Sequence, residues 1–147
     1  METWELMPRR GIRGGGVELL IGMSRAAARD ALAGTMAGPE SHFPNEDDFT
    51  SEQTGTLVRL RYEGDTLDDI EFLDGDLRFN GIALHRGARW PTVKEQLAAQ
   101  GFTFQGASHL ADGHECTSLG VNIATHEEVG GDGDGIEWVI LSAEIAD

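Results

Sequence analysis

Three histidines and a cysteine fall close together in the second half of the chain: His109, His114, Cys116 and His126. Imidazole nitrogens and a thiolate are zinc ligands, so the grouping raises metal chemistry. The spacing argues the other way. Zinc sites built from short segments pair their ligands as Cys-x-x-Cys, or as histidines one helical turn apart, and neither pairing occurs here. These side chains therefore read as structural or surface groups, with no metal and no cofactor assigned. A metal-dependent enzyme using His109, His114, Cys116 and His126 is the alternative. Cys116 reads as a small residue at the start of a strand, because a nucleophilic thiolate needs a partnered base and none is evident. A single cysteine excludes an internal disulfide, which fits a reducing compartment.

Other chemistry fares no better. Gly-Asp-Gly-Asp-Gly at 131–135 alternates carboxylates as a calcium loop does, but Ile136 stands where a further oxygen ligand is required. It reads as a turn between strands. Gly14, Gly15 and Gly16 are not followed by Gly-Lys-Ser/Thr, so they form no phosphate cradle. No serine has a nucleophile-elbow context. Asp69 and Glu71 are expected on a solvated face, where neither needs a shifted pKa. The chain is read as non-enzymatic, with no catalytic residues.

Charge narrows the class further. The 147 residues carry 26 acids against 11 lysines and arginines, a net charge of −15. Binding to nucleic acid requires cations that displace counterions from phosphate, so that class is disfavoured, as are anionic membrane surfaces. A basic protein partner is favoured, because the field of the chain steers it in. Eleven of the 26 acids lie between Glu46 and Asp76, and no lysine or arginine follows Lys94. Arginine in great excess over lysine suggests a GC-rich bacterial coding sequence. No apolar run approaches the ~20 residues that span a bilayer, and the first sixteen residues make a poor secretion signal. The expected compartment is the cytoplasm.

The elements that would position a site begin at 17–38. An apolar run ends at Gly22, Ser24 is a good helix N-cap, and Met23, Ala27, Ala28, Ala31 and Leu32 make a narrow stripe at helical spacing before Gly34 stops it. A second helix opens at Trp90 and Pro91, with Thr92 and Glu95 as a capping box and Val93 and Leu97 as its buried stripe. Residues 1–16 read as an irregular arm from which Trp4 and Leu6 can tuck inward, and 35–56 as a polar connector anchored by Phe43 and Phe49. Residues 57–63 and 67–73 alternate and form a hairpin, with Val58, Leu60, Tyr62, Ile70 and Phe72 inward. Residues 77–85 read as a strand bulged at Gly81, 101–106 as a short strand, 107–115 as a loop, and 116–127 and 136–146 as strands, with Trp138 the largest buried group. The expected fold is α+β: one domain over 1–147, built from two αβ repeats at 17–85 and 86–147, with helices packed on one face of a mainly antiparallel sheet. The opposite face would present Arg59, Arg61, Asp69, Glu71, Arg78, Asn122 and Glu137.

Ile21-Gly22-Met23-Ser24, followed by Ala28, Leu32 and Gly34, resembles the helix opening of small SmpA-like outer-membrane-assembly lipoproteins and of secreted β-lactamase inhibitory proteins. The inhibitory proteins also repeat a helix-plus-sheet unit. The resemblance implies a scaffold that binds another protein through a sheet face and loops, without carrying over the β-lactamase target. Small acidic immunity proteins, which neutralise toxins, share this general look. The expected function is an immunity-type inhibitor of a basic, nuclease-like toxin or enzyme. Its contact groups would be Arg59, Arg61, Asp69 and Glu71, with Glu46, Asp47 and Asp48 from the connector. A structural or assembly subunit is the remaining alternative.

Overall fold

Trp4, placed by the sequence reading in an irregular arm, is fully buried in a strand. The computed structural model describes residues 3–110 and 112–145. Met1 and Glu2 of the expected arm, Ala111 of the expected loop and Ala146 of the expected last strand lie outside the described residues.

The chain opens with β1 (Trp4–Met7), β2 (Gly11–Gly14) and β3 (Val17–Leu20), then helix α1 (Arg25–Leu32). Four strands follow: β4 (Ala37–Glu40), β5 (Glu46–Ser51), β6 (Thr56–Glu63) and β7 (Thr66–Asp74). A short hairpin, β8 (Leu77–Phe79) and β9 (Ile82–Ala83), leads to helix α2 (Trp90–Ala99). The remainder is β10 (Gln105–Gly106), β11 (His114–Cys116), β12 (Val121–Thr125), a 3-10 turn at Glu127–Val129, and β13 (Ile136–Ser142). These strands make two sheets among the described residues. A five-stranded sheet has the order β3-β2-β1-β8-β9, with β1 and β8 parallel. An eight-stranded antiparallel sheet has the order β10-β11-β12-β13-β7-β6-β5-β4.

The expected fold class is corrected by this layout. The molecule is mostly β, and it is not a pair of αβ repeats whose helices cover one face of a sheet. The physical reason is size. Helix α1 has eight residues and buries only Ala28 and Leu32, too little apolar surface to cover an eight-stranded sheet. Much of the cover comes from the five-stranded sheet. Trp4, Leu6, Ile12, Leu19, Leu77 and Phe79 from it join Val58, Leu60, Ile70, Phe72, Val121 and Ile123 of the large sheet in a single core. The helices close that core with Leu32, Trp90, Val93 and Leu97.

Smaller corrections share a cause, the difficulty of reading short strands between turn residues. The 35–56 connector contains β4 and β5. Asn80 and Gly81 have φ of 48° and 79°, and form the two-residue turn of the β8–β9 hairpin rather than a bulge. The expected 101–106 strand is reduced to Gln105–Gly106. Helix α2 starts at Trp90 with Arg89 as its N-cap and no side-chain cap bond, so Thr92 and Glu95 lie inside the helix and form no capping box. Trp138 is half-buried, and Trp4 is among the largest fully buried side chains. Ser24 does cap α1, accepting from the N–H of Ala27 at 3.1 Å.

Both helices leave their preceding strands through the same hydrogen bonds. Gly22 N–H donates to Leu67 O and Leu67 N–H to Met23 O; likewise Gly87 N–H donates to Ile136 O and Ile136 N–H to Ala88 O. Each helix start is thereby pinned to one strand of the large sheet, α1 to β7 and α2 to β13. Among the described residues, no helix is long and apolar enough to cross a membrane.

Candidate functional site, a charged ladder on three strands

Strand alternation sends successive side chains to opposite faces. In β6 it puts Val58, Leu60 and Tyr62 in the core and Arg59 and Arg61 on the far face. Register then sets their neighbours. Asp48, Arg59 and Glu71 stand in one row across β5, β6 and β7, and Glu46, Arg61 and Asp69 in the next. Each arginine has a carboxylate on either side.

The contacts are close. Arg59 meets Asp48 in a two-pronged pair, Nε to Oδ1 at 2.8 Å and Nη2 to Oδ2 at 3.1 Å. Arg61 donates from Nε to Glu46 Oε2 at 2.8 Å and from Nη2 to Glu71 Oε1. Its Nη1 lies 4.0 Å from Asp69 Oδ2. The arginine side chains are 30% and 28% exposed, whereas Glu71 is 5% exposed. The hydrogen bonds that Arg59 donates to Asp48 hold its guanidinium above the ordinary arginine range. Burial works against the charge on Arg61, but Glu71 and Glu46 outweigh it and hold that group high as well. Asp69 is the exception. Burial pushes its carboxyl above the usual range, Ser142 and Arg61 only partly offset this, and its Oδ1 is buried without a hydrogen-bond partner.

Six of the seven expected contact residues therefore meet on one face: Glu46, Asp48, Arg59, Arg61, Asp69 and Glu71. They are more deeply set than a freely solvated face would be, because each arginine covers its neighbours. Asp47 is on the other side. Between two outward residues of β5 its side chain points inward, where it is fully buried against α1. It accepts from Arg25 Nη2 at 2.8 Å, Arg29 Nε at 2.8 Å, Ser41 Oγ at 2.8 Å and Tyr62 Oη at 3.0 Å. Burial alone would raise its pKa, but the hydrogen bonds from Arg29, Arg25, Ser41 and Tyr62 together hold it well below the usual carboxylate range. Arg78 is also elsewhere, on the five-stranded sheet beside Asp76 at 3.0 Å.

The histidines do not converge. His109 Nδ1 is 2.9 Å from Glu115, His114 Nε2 is 3.1 Å from Glu128, and His126 Nδ1 is 3.4 Å from Glu137. His114 also stacks on Trp90, and buried Cys116 faces the Ser118 hydroxyl at 3.3 Å. Among the described residues, no three His, Cys, Asp or Glu side chains form a group able to hold a metal ion. What these residues do instead is anchor a loop. Glu115 is fully buried and accepts from the backbone N–H of Ser108 at 3.0 Å and of Leu110 at 3.0 Å, from the His109 ring, and from Asn122. Burial opposes its charge, yet these donors bring its pKa down to about 2. The 131–135 turn is held at Asp134 by Arg89, 3.0 Å away.

Two of the hollows on the described residues depend on which strands pair and are not legible in the sequence. One, of about 750 Å³, lies on the five-stranded sheet beside Glu5, Arg13, Glu18 and the Gly14–Gly16 turn. The other, of about 300 Å³, is lined by Leu57, Leu73, Asp74, Arg86 and Glu137, where the charged ladder runs out. The chain matches no protein-family model, no curated protein and no solved structure.

Proposed function

We propose that this protein is a non-enzymatic binding module that recognises a basic protein through the β5–β6–β7 face, in the manner of an immunity-type inhibitor. The observation that carries the reading is the ladder itself. Four carboxylates surround two arginines on one face of a chain whose net charge is −15. Four negative charges less two positive ones leave that face anionic. The two guanidinium groups are the most exposed part of that face, while Glu46, Asp48, Asp69 and Glu71 sit deeper and hold them in place. Carboxylates held this way lose little freedom when a partner's lysine or arginine adds to them, which lowers the entropy cost of binding. The long-range field speeds the encounter, and the alternating signs select the register. A nuclease-like toxin, whose phosphate-binding site is basic, suits such a face.

The test is capture of proteins from the source cell by the immobilised chain, beside a Glu46→Lys/Asp48→Lys variant. Ionic strength is varied from about 0.05 M to about 0.3 M, which shortens the screening length several ångströms. Retention of a basic protein at low salt, lost at high salt and lost in the variant, supports the reading. Retention indifferent to both salt and substitution overturns it.

A further inference from the structure

The smaller hollow opens where β6 begins and β7 ends, at the margin of the ladder. Its walls are aliphatic, from Leu57 and Leu73, and both leucines are half-buried. Its rim is anionic. Asp74 is exposed and spends Oδ1 on the N–H of Gly75 at 2.9 Å. Glu137 receives Arg86 Nε on Oε2 at 3.1 Å and lies 3.4 Å from His126 Nδ1 through Oε1. The chain's own arginine thus shows how a guanidinium meets this rim. The Arg86 side chain is 49% exposed, so this is a surface pair that exchanges readily.

We infer that this hollow seats an arginine side chain of the basic partner, its aliphatic stem along Leu57 and Leu73 and its guanidinium between Asp74 and Glu137. The inference rests on the reading of the ladder as a face for a basic protein and adds what the ladder lacks. Exposed ion pairs contribute little affinity, whereas a pocket that desolvates one side chain at a contact carries much of it. Arginine suits the hollow better than lysine for two reasons. Its stem covers apolar surface while its head stays polar. Its planar fork serves two carboxylates at once, which a compact ammonium cannot do.

The experiment follows the leucine methyl resonances of the full chain by NMR during titration with acetyl-Gly-Arg-Gly-amide. The same peptide with citrulline, which keeps the shape and removes the charge, is the first comparison, and the lysine peptide is the second. The arginine peptide is expected to move the Leu57 and Leu73 methyls, with binding about tenfold tighter than for citrulline and measurably tighter than for lysine. Arg86→Ala removes the built-in competitor and is expected to tighten the arginine peptide severalfold. Arg13→Ala makes the same change in net charge on the other sheet and is expected to leave binding as it was. Unmoved leucines at millimolar peptide, equal binding of arginine and citrulline, or equal tightening by Arg86→Ala and Arg13→Ala would each overturn the inference. The two readings separate cleanly. Unmoved leucines with salt-sensitive capture intact sink the hollow and leave the ladder standing; the reverse result supports the hollow alone.

Discussion

Asp47 on β5 and Glu115 on β11 both have fully buried carboxylates, and the molecule keeps each of them charged by a different means. Asp47 is met by two guanidinium groups from α1, a phenol from β6 and a hydroxyl from the chain between β4 and β5. Glu115 is met chiefly by backbone N–H groups of the segment just before its own strand, with one imidazole and one amide. The first arrangement clamps a helix to a sheet with opposite charges. The second latches a loop with dipoles. The difference lies in what remains if the carboxylate goes. Around Asp47, an arginine that is only 19% exposed keeps its charge and loses its counterion. Around Glu115, the released N–H groups belong to an exposed segment that water can reach.

The largest expected effect follows directly. Removing one partner of a buried ion pair costs about 3–5 kcal/mol, and the exposed Arg29 argues for the lower end. Asp47→Ala should therefore lose about 3 kcal/mol in urea unfolding. A loss under about 1 kcal/mol would mean that the clamp is ornamental and the comparison false. Glu115→Gln keeps the shape and one acceptor oxygen, and should cost about 1–2 kcal/mol. Its distinguishing sign is local: amide exchange at Ser108, His109 and Leu110 should quicken while the core strands stay protected. Exchange rising uniformly over the whole chain would contradict a latch. Both groups have folded pKa values below the ordinary carboxylate value of about 4. Their contribution is thus complete above that value and is lost as pH falls through it toward about 2, the folded value for Glu115. Glu115→Gln should flatten the stability curve in that acid range and change its shape little at neutral pH.

Much of this contrast was hidden in the sequence for identifiable reasons. The alternation of 57–63 and 67–73 is long enough to assign faces, so Arg59, Arg61, Asp69 and Glu71 are legible as neighbours. Register, which decides that Arg59 grips Asp48 and Arg61 grips Glu46, is not a property of either strand alone. The inward place of Asp47 is not legible, because 35–56 carries prolines and polar residues and reads as a connector. Without a strand there, no parity separates Asp47 from Glu46 and Asp48. The five-stranded sheet was illegible because β1, β2 and β3 have four residues each, and because β1 pairs in parallel with β8, far along the chain. Ser24 was legible because an N-cap is a local device that needs only its own helix.

A smaller effect tests the outer face by the same logic of satisfied and unsatisfied groups. Asn122 and Asp69 are both buried polar residues of the large sheet. Asn122 donates to Asp112 O at 2.7 Å and accepts from Trp138 Nε1 at 2.9 Å, whereas Asp69 Oδ1 has no hydrogen-bond partner. The Asp69 pKa is raised in the folded chain, so its ionised form costs stability above that value, and the cost disappears below the unfolded value of about 4. Asp69→Asn should therefore be the more stable chain at neutral pH, with the gain fading in acid. A loss at neutral pH would show that Arg61 depends on Asp69 for its charge balance, and that the ladder is a single network rather than a set of pairs.

The smallest effect compares the two helix starts. Ser24 and Arg89 occupy matching places, Ser24 bridged to Thr66 at the start of β7 and Arg89 to Gly135 just before β13. The Ser24 hydroxyl satisfies an N–H in the first turn of α1, and Arg89 makes no such bond at α2. Ser24→Ala should cost about 1 kcal/mol, which for a chain of this size lowers Tm by roughly 2–4 °C. Arg89→Ala should shift Tm less, since it removes only a surface pair with Asp134. If the two variants lower Tm equally, the strand bridges hold both helix starts and the cap adds nothing. If Ser24→Ala alone also quickens exchange at Ala27, the cap is what fixes the first turn of α1 over Asp47, and the clamp begins one residue before its first arginine.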